Sequence, residues 1–276
     1  MSEVRGLKVC LTLLLSIFCV AAGTSDENRT ACAREVLQHK WVFVLGDSSL
    51  RMLFAALVRN VNGSSLADPR FGSYKVHDKG GCVGDQEKQG HVGTSCLREF
   101  FDVERGIRLT FSFKTFVSQR SQSLEELVSA SQVPDYFLLA TGPWDFAYNA
   151  TAVPMATLAR DAMTWALAIK ARFPSAAVVF ADVVQCHYKT LTRARSVEYN
   201  KGIWALCEGI APTTLRCLDR ASSTNFVGSR KDSLPGNEVA CSGFHAFGDL
   251  ALQHLDRALD LFAPAEFGRS PSCSAP

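Results

Sequence analysis

The chain has 276 residues, 47% of them hydrophobic and 20% charged, with a formal net charge of +2. This composition excludes a disordered, collagenous or low-complexity chain, and the near balance of charge leaves no electrostatic footprint for nucleic acid. One α/β domain accounts for the length, at the upper end for a single core.

In chain order, Arg5 and Lys8 precede an apolar run from Val9 to Gly23 that gives way to the polar Thr24-Ser25-Asp26-Glu27-Asn28. A basic start, a short apolar core and small residues at Val20-Ala21-Ala22-Gly23 predict a signal peptide over residues 1–23. The run is shorter than the roughly 20 residues that cross a bilayer; the alternative is an uncleaved type II signal anchor. Both put the rest of the chain in a secreted or lumenal compartment, with membrane contact expected only from an uncleaved segment. Of ten cysteines, Cys10 and Cys19 leave with the signal. The remaining eight, Cys32, Cys82, Cys96, Cys186, Cys207, Cys217, Cys241 and Cys273, suit disulfides in an oxidising compartment. Cys82 with Cys96, and Cys207 with Cys217, are local pairs by proximity in sequence. No C-x-x-C pair or H-E-x-x-H helix occurs, so neither a metal nor another cofactor is expected. Sequons at Asn28, Asn62 and Asn149 predict glycosylation on exposed loops.

After a lead-in over residues 24–37, the domain is expected over 38–262, with a tail over 263–276 carrying neither a GPI nor a KDEL-type signal. Trp41 to Leu45 reads as a buried strand. Leu50, Leu53, Phe54, Leu57, Val58 and Val61 then mark one face of a helix that Asn62-Gly63 stops. Residues 63–104, Gly-rich and polar, read as a long loop with little regular structure. Strands follow at Arg108–Phe113, Tyr136–Ala140, Ala176–Val184 and Thr213–Leu218. Helices are expected over Ser123–Gln132, Met155–Phe173, Ser196–Ile210 and Ala246–Phe262. Lys189, Arg193 and Arg195 read as a solvated helix start. This alternation predicts a three-layer α/β/α sandwich, a mainly parallel sheet of about five strands.

The first strand ends in Gly46-Asp47-Ser48 and the helix begins at once. A serine there stands at the carboxyl edge of the sheet, where open α/β sheets place their chemistry. The helix start offers free N–H groups to a developing oxyanion. The alternative role for Ser48 is that of an N-cap.

These residues also carry a resemblance. Gly46-Asp47-Ser48 with Arg51 resembles the G-D-S-x-x-R opening of the PC-esterase branch of the SGNH/GDSL hydrolases. Gly80-Gly81 resembles its second block, and Ile107 to Lys114 its R-L-x-F strand. Pro134-Asp135 through Trp144-Asp145 is similar to its P-D…W-D block. Ser242-Gly243-Phe244-His245 is similar to the D-G-x-H that carries the catalytic histidine. The resemblance implies a flavodoxin-like SGNH-hydrolase fold and an activity on acyl esters of glycans or other extracellular molecules. By position it implies Ser48 as nucleophile and His245 as base, with the Ser48 amide and Gly80 or Gly81 as oxyanion donors. Asp47, Arg51, Trp144, Asp145 and His187 would border the pocket.

Two departures bear on activity. Trp144 stands where many SGNH enzymes have an oxyanion asparagine, although tryptophan is usual in this branch. Ser242 stands where the family has the aspartate that orients the histidine, and losing that acid lowers kcat by about 10⁴ in a triad. A dyad helped by Ser242, an acid relocated to Asp232, Glu238 or Asp249, and a degenerate site all stay open. So do three functions: a serine esterase, a glycan O-acetyltransferase using the same nucleophile, and a silent glycan-binding or interaction module. The expected partner is an acylated glycan or a small ester.

Overall fold

In chain order the elements are α1 (Ser25–Leu37), β1 (Trp41–Gly46), α2 (Ser48–Asn62), β2 (His77–Lys79), β3 (Cys96–Asp102), β4 (Ile107–Phe113) and β5 (Tyr136–Leu139). Then come α3 (Met155–Arg172), β6 (Ala177–Ala181), α4 (Thr190–Cys207), β7 (Arg216–Leu218), α5 (Ala221–Thr224), β8 (Cys241–Ser242), β9 (His245–Ala246) and α6 (Gly248–Phe262). The computed structural model describes residues 25–63, 77–79, 96–113, 132–143, 145, 153–185, 190–224, 241–242, 245–246 and 248–262. For residues 25–26, 48, 77–79, 96–98, 190–193, 223–224 and those between 241 and 249 it describes the backbone alone.

Trp41-Val-Phe-Val-Leu-Gly46 is buried along its whole length, as a strand covered on both faces must be. It pairs in parallel with β4 on one side and β5 on the other. The sheet continues through β6 to β7, also in parallel. Counting these parallel strands alone, the spatial order is second, first, third, fourth, fifth, the flavodoxin-like winding. The order reverses between β1 and β5, which makes their carboxyl ends the topological switch point. All five parallel strands coincide with strands expected from the sequence.

Alternate residues of β1 feed two cores. Val42 and Val44 pack with α1, α2 and α6, whereas Trp41, Phe43 and Leu45 pack with α3 and α4. The result is the three-layer α/β/α sandwich.

The expected loop over 63–104 needs correction. Within it β3 pairs antiparallel with β4, and β2 with β3, extending the sheet to seven strands among the described residues. Hydrophobic alternation misses β3 because Glu99 is buried and ion-paired to Arg108 Nη2 at 2.7 Å, while Phe101 is exposed. The Arg108 guanidinium also lies 3.9 Å from the centre of the Trp41 ring. The stretch read as a lead-in is helical: α1 buries Ala33 and Leu37 in the core, and Arg29 pairs with Asp256 of α6 at 2.8 Å. Asn28 is therefore exposed on a helix and not on a loop, whereas Asn62 is exposed at the end of α2. Helix α4 begins at Thr190, before the expected Ser196.

Cys207 and Cys217 are disulfide-bonded with Cα atoms 6.3 Å apart, as expected from their spacing. The Cys82–Cys96 pair, the signal segment, Asn149 and the helix expected over 123–132 lie outside the described residues in whole or part. No helix among the described residues is long and apolar enough to cross a membrane.

Candidate active site

At Gly46 the chain leaves β1 and turns into α2. A Cβ there would stand 2.6 Å from the Ala140 carbonyl oxygen of the β5 segment and 2.8 Å from Leu50 Cδ1. Only glycine lets helix, strand and neighbouring strand meet this closely. Asp47 then caps the helix: its Oδ1 accepts from the Ser49 amide at 2.8 Å, and its backbone is extended. Ser48 is the first residue of the helix proper. The N-cap role that competes for Ser48 is thus filled by Asp47.

The His245 segment comes from the far end of the sequence. The short strands β8 and β9 pair so that Ser242 and His245 are register partners. Strand β9 lies against α2, the helix that Ser48 opens, and α6 leaves β9 to pack on α2 as well. The fold therefore brings the backbone of His245 to the helix that Ser48 opens. Arg51 sits half-buried in the first turn of α2, its amide bonded to the Asp47 carbonyl at 3.1 Å, and Asp145 is half-buried just beyond β5. Gly80, Gly81, Trp144 and His187 lie outside the described residues. Asp135 belongs elsewhere. Its carboxylate takes the Trp41 amide at 2.9 Å and Lys40 Nζ at 3.1 Å, tying together the amino ends of β1 and β5.

Behind the Ser48 turn is a polar cluster that sequence reading missed. Asp182 follows β6 and Arg220 follows β7, so both stand at the same carboxyl edge as Ser48. Arg220 is fully buried. Its Nε donates to the Asp182 carbonyl at 2.8 Å, Nη2 donates to the same oxygen, and Nη1 reaches Ser49 Oγ at 3.4 Å. The Asp182 carboxylate receives the Arg220 amide at 2.7 Å, the Ala221 amide at 3.1 Å and Trp204 Nε1 at 3.1 Å. Asp47, Asp182 and Tyr199 contribute the charges and dipoles around the guanidinium. His254 of α6 is buried against Arg220. A charged residue placed directly after an apolar strand was the available signal for Asp182, whereas Arg220 follows Asp219 and a short strand that itself begins with Arg216.

The β5 edge is just as constrained. Tyr199 Oη donates to the Thr141 carbonyl at 2.8 Å. Gly142 has φ +118°, and a Cβ on it would meet the Tyr199 ring at 2.9 Å, so glycine is required both by conformation and by space. Among the described residues, Asp47 Oδ2 and Thr141 Oγ1 are buried at this edge without a hydrogen-bond partner. Such an atom costs about 1–3 kcal/mol.

Burial shapes the titration of the cluster. It pushes Asp182 up from 3.8 to about 6, against the pull of Arg220. It also pushes His254 down from 6.5 to about 3, with the charges of Arg220 and Arg257 acting in the same direction. The depressed His254 contributes stability that is present above pH 6.5 and lost as the pH falls towards 3. The raised Asp182 does the reverse, its contribution being present below 3.8 and lost as the pH rises through about 6. Between these limits the two oppose each other. His254→Gln is therefore expected to gain roughly 3 kcal/mol relative to wild type when the pH falls from about 7 to 4, and Asp182→Asn to lose about 2–3 kcal/mol. Urea unfolding at both pH values measures this. Parallel behaviour of the two variants would contradict it.

Compared with known proteins, the chain matches no family profile and no curated protein. Solved structures similar to it include an acetylxylan esterase from Geobacillus stearothermophilus, with 12% identity, a TM-score of 0.48, and coverage of 82% of this chain and 94% of that one. A carbohydrate esterase family 3 protein from Talaromyces cellulolyticus has 13% identity and a TM-score of 0.47, over 79% of this chain and 94% of that one. A GDSL-like lipase from Bacteroides thetaiotaomicron has 12% identity and a TM-score of 0.44, over 80% and 85%.

Proposed function

We propose that this chain is an exported serine esterase of the PC-esterase branch of the SGNH/GDSL hydrolases, acting on acyl esters, chiefly O-acetyl esters, of glycans. Ser48 Oγ attacks the ester carbonyl while His245 takes its proton. The alcohol leaves with that proton, and water then releases the acid from the acyl-enzyme. Ser242, the register partner of His245, orients the ring in place of the usual aspartate. The start of α2 supplies N–H groups to the oxyanion.

The observation that carries this reading is the Gly46–Ser48 turn at the switch point. A serine opens the helix there, yet an aspartate already caps it. The approach of β9 to the same helix supports His245 as its base.

The test is chemical labelling of the purified protein with a fluorophosphonate, with the adduct mapped by mass spectrometry, beside acetate release from an O-acetylated glycan. The expected result is one adduct on Ser48 together with acetate release. An adduct on another serine overturns the assignment of Ser48, and no adduct with no release overturns the proposal and leaves a silent glycan-binding module. Labelling of Ser48 with transfer to an added glycan faster than release to water would make the protein an O-acetyltransferase.

A further inference from the structure

We infer that Thr141 is a substrate-contacting residue of the Ser48 site, its hydroxyl donating a hydrogen bond to the ester carbonyl oxygen as that oxygen takes up negative charge in the transition state. This rests on the esterase reading above. Three observations converge on it.

The first is position. Ala140 N bonds to Leu45 O at 3.1 Å, and the Ala140 carbonyl crowds Gly46. Thr141 therefore lies beside the turn that carries Ser48, on the other side of the switch point where ligands of such sheets bind.

The second is rigidity. The Thr141 carbonyl is held by Tyr199 Oη, and the next residue is locked against the same ring. A β-branched side chain on a backbone so fixed has few rotamers. A donor that needs no rearrangement during the reaction is the kind that stabilises developing charge.

The third is the missing partner. Thr141 is only 3% exposed, and its Oγ1 has no hydrogen-bond partner among the described residues. Valine would fill the same volume without an unsatisfied hydroxyl, so packing gives no reason for threonine here. The residue three positions on, where many SGNH enzymes place an asparagine donor, is Trp144. A hydroxyl from Thr141 makes good that loss.

The experiment compares wild type, Thr141→Val and Thr141→Ser for turnover of p-nitrophenyl acetate, fluorophosphonate labelling and thermal unfolding. Thr141→Val is expected to lower kcat about 10- to 100-fold, with KM little changed. Its Tm should equal or exceed that of wild type, because the substitution removes an unsatisfied buried group. Thr141→Ser keeps the hydroxyl and should retain kcat within about threefold. Wild-type kinetics in Thr141→Val would overturn the inference alone. So would a Tm that falls together with activity, which would make the hydroxyl a structural group. A wild-type protein that neither labels nor turns over overturns the esterase reading itself, and this inference with it.

Discussion

Ser48→Ala is expected to lower the turnover of p-nitrophenyl acetate by about 10⁴–10⁶-fold while leaving the urea midpoint unchanged. The size follows from losing the covalent route: what remains is binding and oxyanion stabilisation acting on an external water. The unchanged midpoint follows from the geometry of the turn. Asp47, not Ser48, accepts the Ser49 amide, so the helix keeps its cap when the serine goes, and alanine is a good helix former in its place. A substantial fall in stability would mean that Ser48 has a structural role the fold does not suggest. His245→Ala should cost a similar factor. The double variant should fall little further than either single one, because nucleophile and base act as a unit. Additive losses would separate the two residues and remove His245 as the base.

The sequence exposes those parts of this fold whose burial follows a simple period. Strand β1 is a continuous apolar run, and α2 carries apolar residues at helical spacing up to its Gly63 cap. Both can be read directly, and they include the Gly46–Ser48 turn. Strand β3 breaks the rule twice, with a buried Glu99 and an exposed Phe101, because its partner Arg108 brings both a charge and a flat surface to the sheet. Helix α1 has few apolar residues, and it is held partly by polar links, Arg29 to Asp256 and Arg34 to the Val61 carbonyl. Neither signal is visible without knowing the partner.

The site divides along the same line. The Ser48 turn and the His245 segment stand out because their local patterns are unusual. The cluster of Asp182, Arg220, Ser49 and His254 does not, since it draws on four separated stretches that only the strand order brings together. Each member alone is an ordinary polar residue beside a strand or in a helix. Capping, by contrast, was a fair alternative for Ser48 in sequence. The structure moves that role back by one residue.

Arg220→Met is expected to destabilise the protein by about 3–5 kcal/mol, the cost of removing one partner from a buried charge system. The guanidinium compensates Asp182 and Asp47, both buried, and it fills two hydrogen bonds on the Asp182 carbonyl. Without it the Asp182 carboxyl, already pushed to about 6 by burial, rises further and takes up a proton near neutral pH. His254, freed of a neighbouring positive charge, becomes easier to protonate. Lysine should rescue little, because a single ammonium cannot reach both the Asp182 carbonyl and Ser49 Oγ from one stem. Adding Asp182→Asn to Arg220→Met removes a buried carboxyl that had lost its partner. The double variant should therefore be destabilised by less than the sum of the two single ones, with a coupling of about 1–3 kcal/mol in urea unfolding. A loss for Arg220→Met below about 1 kcal/mol would mean that solvent reaches the guanidinium. The buried cluster behind the Ser48 turn would then be open, not sealed.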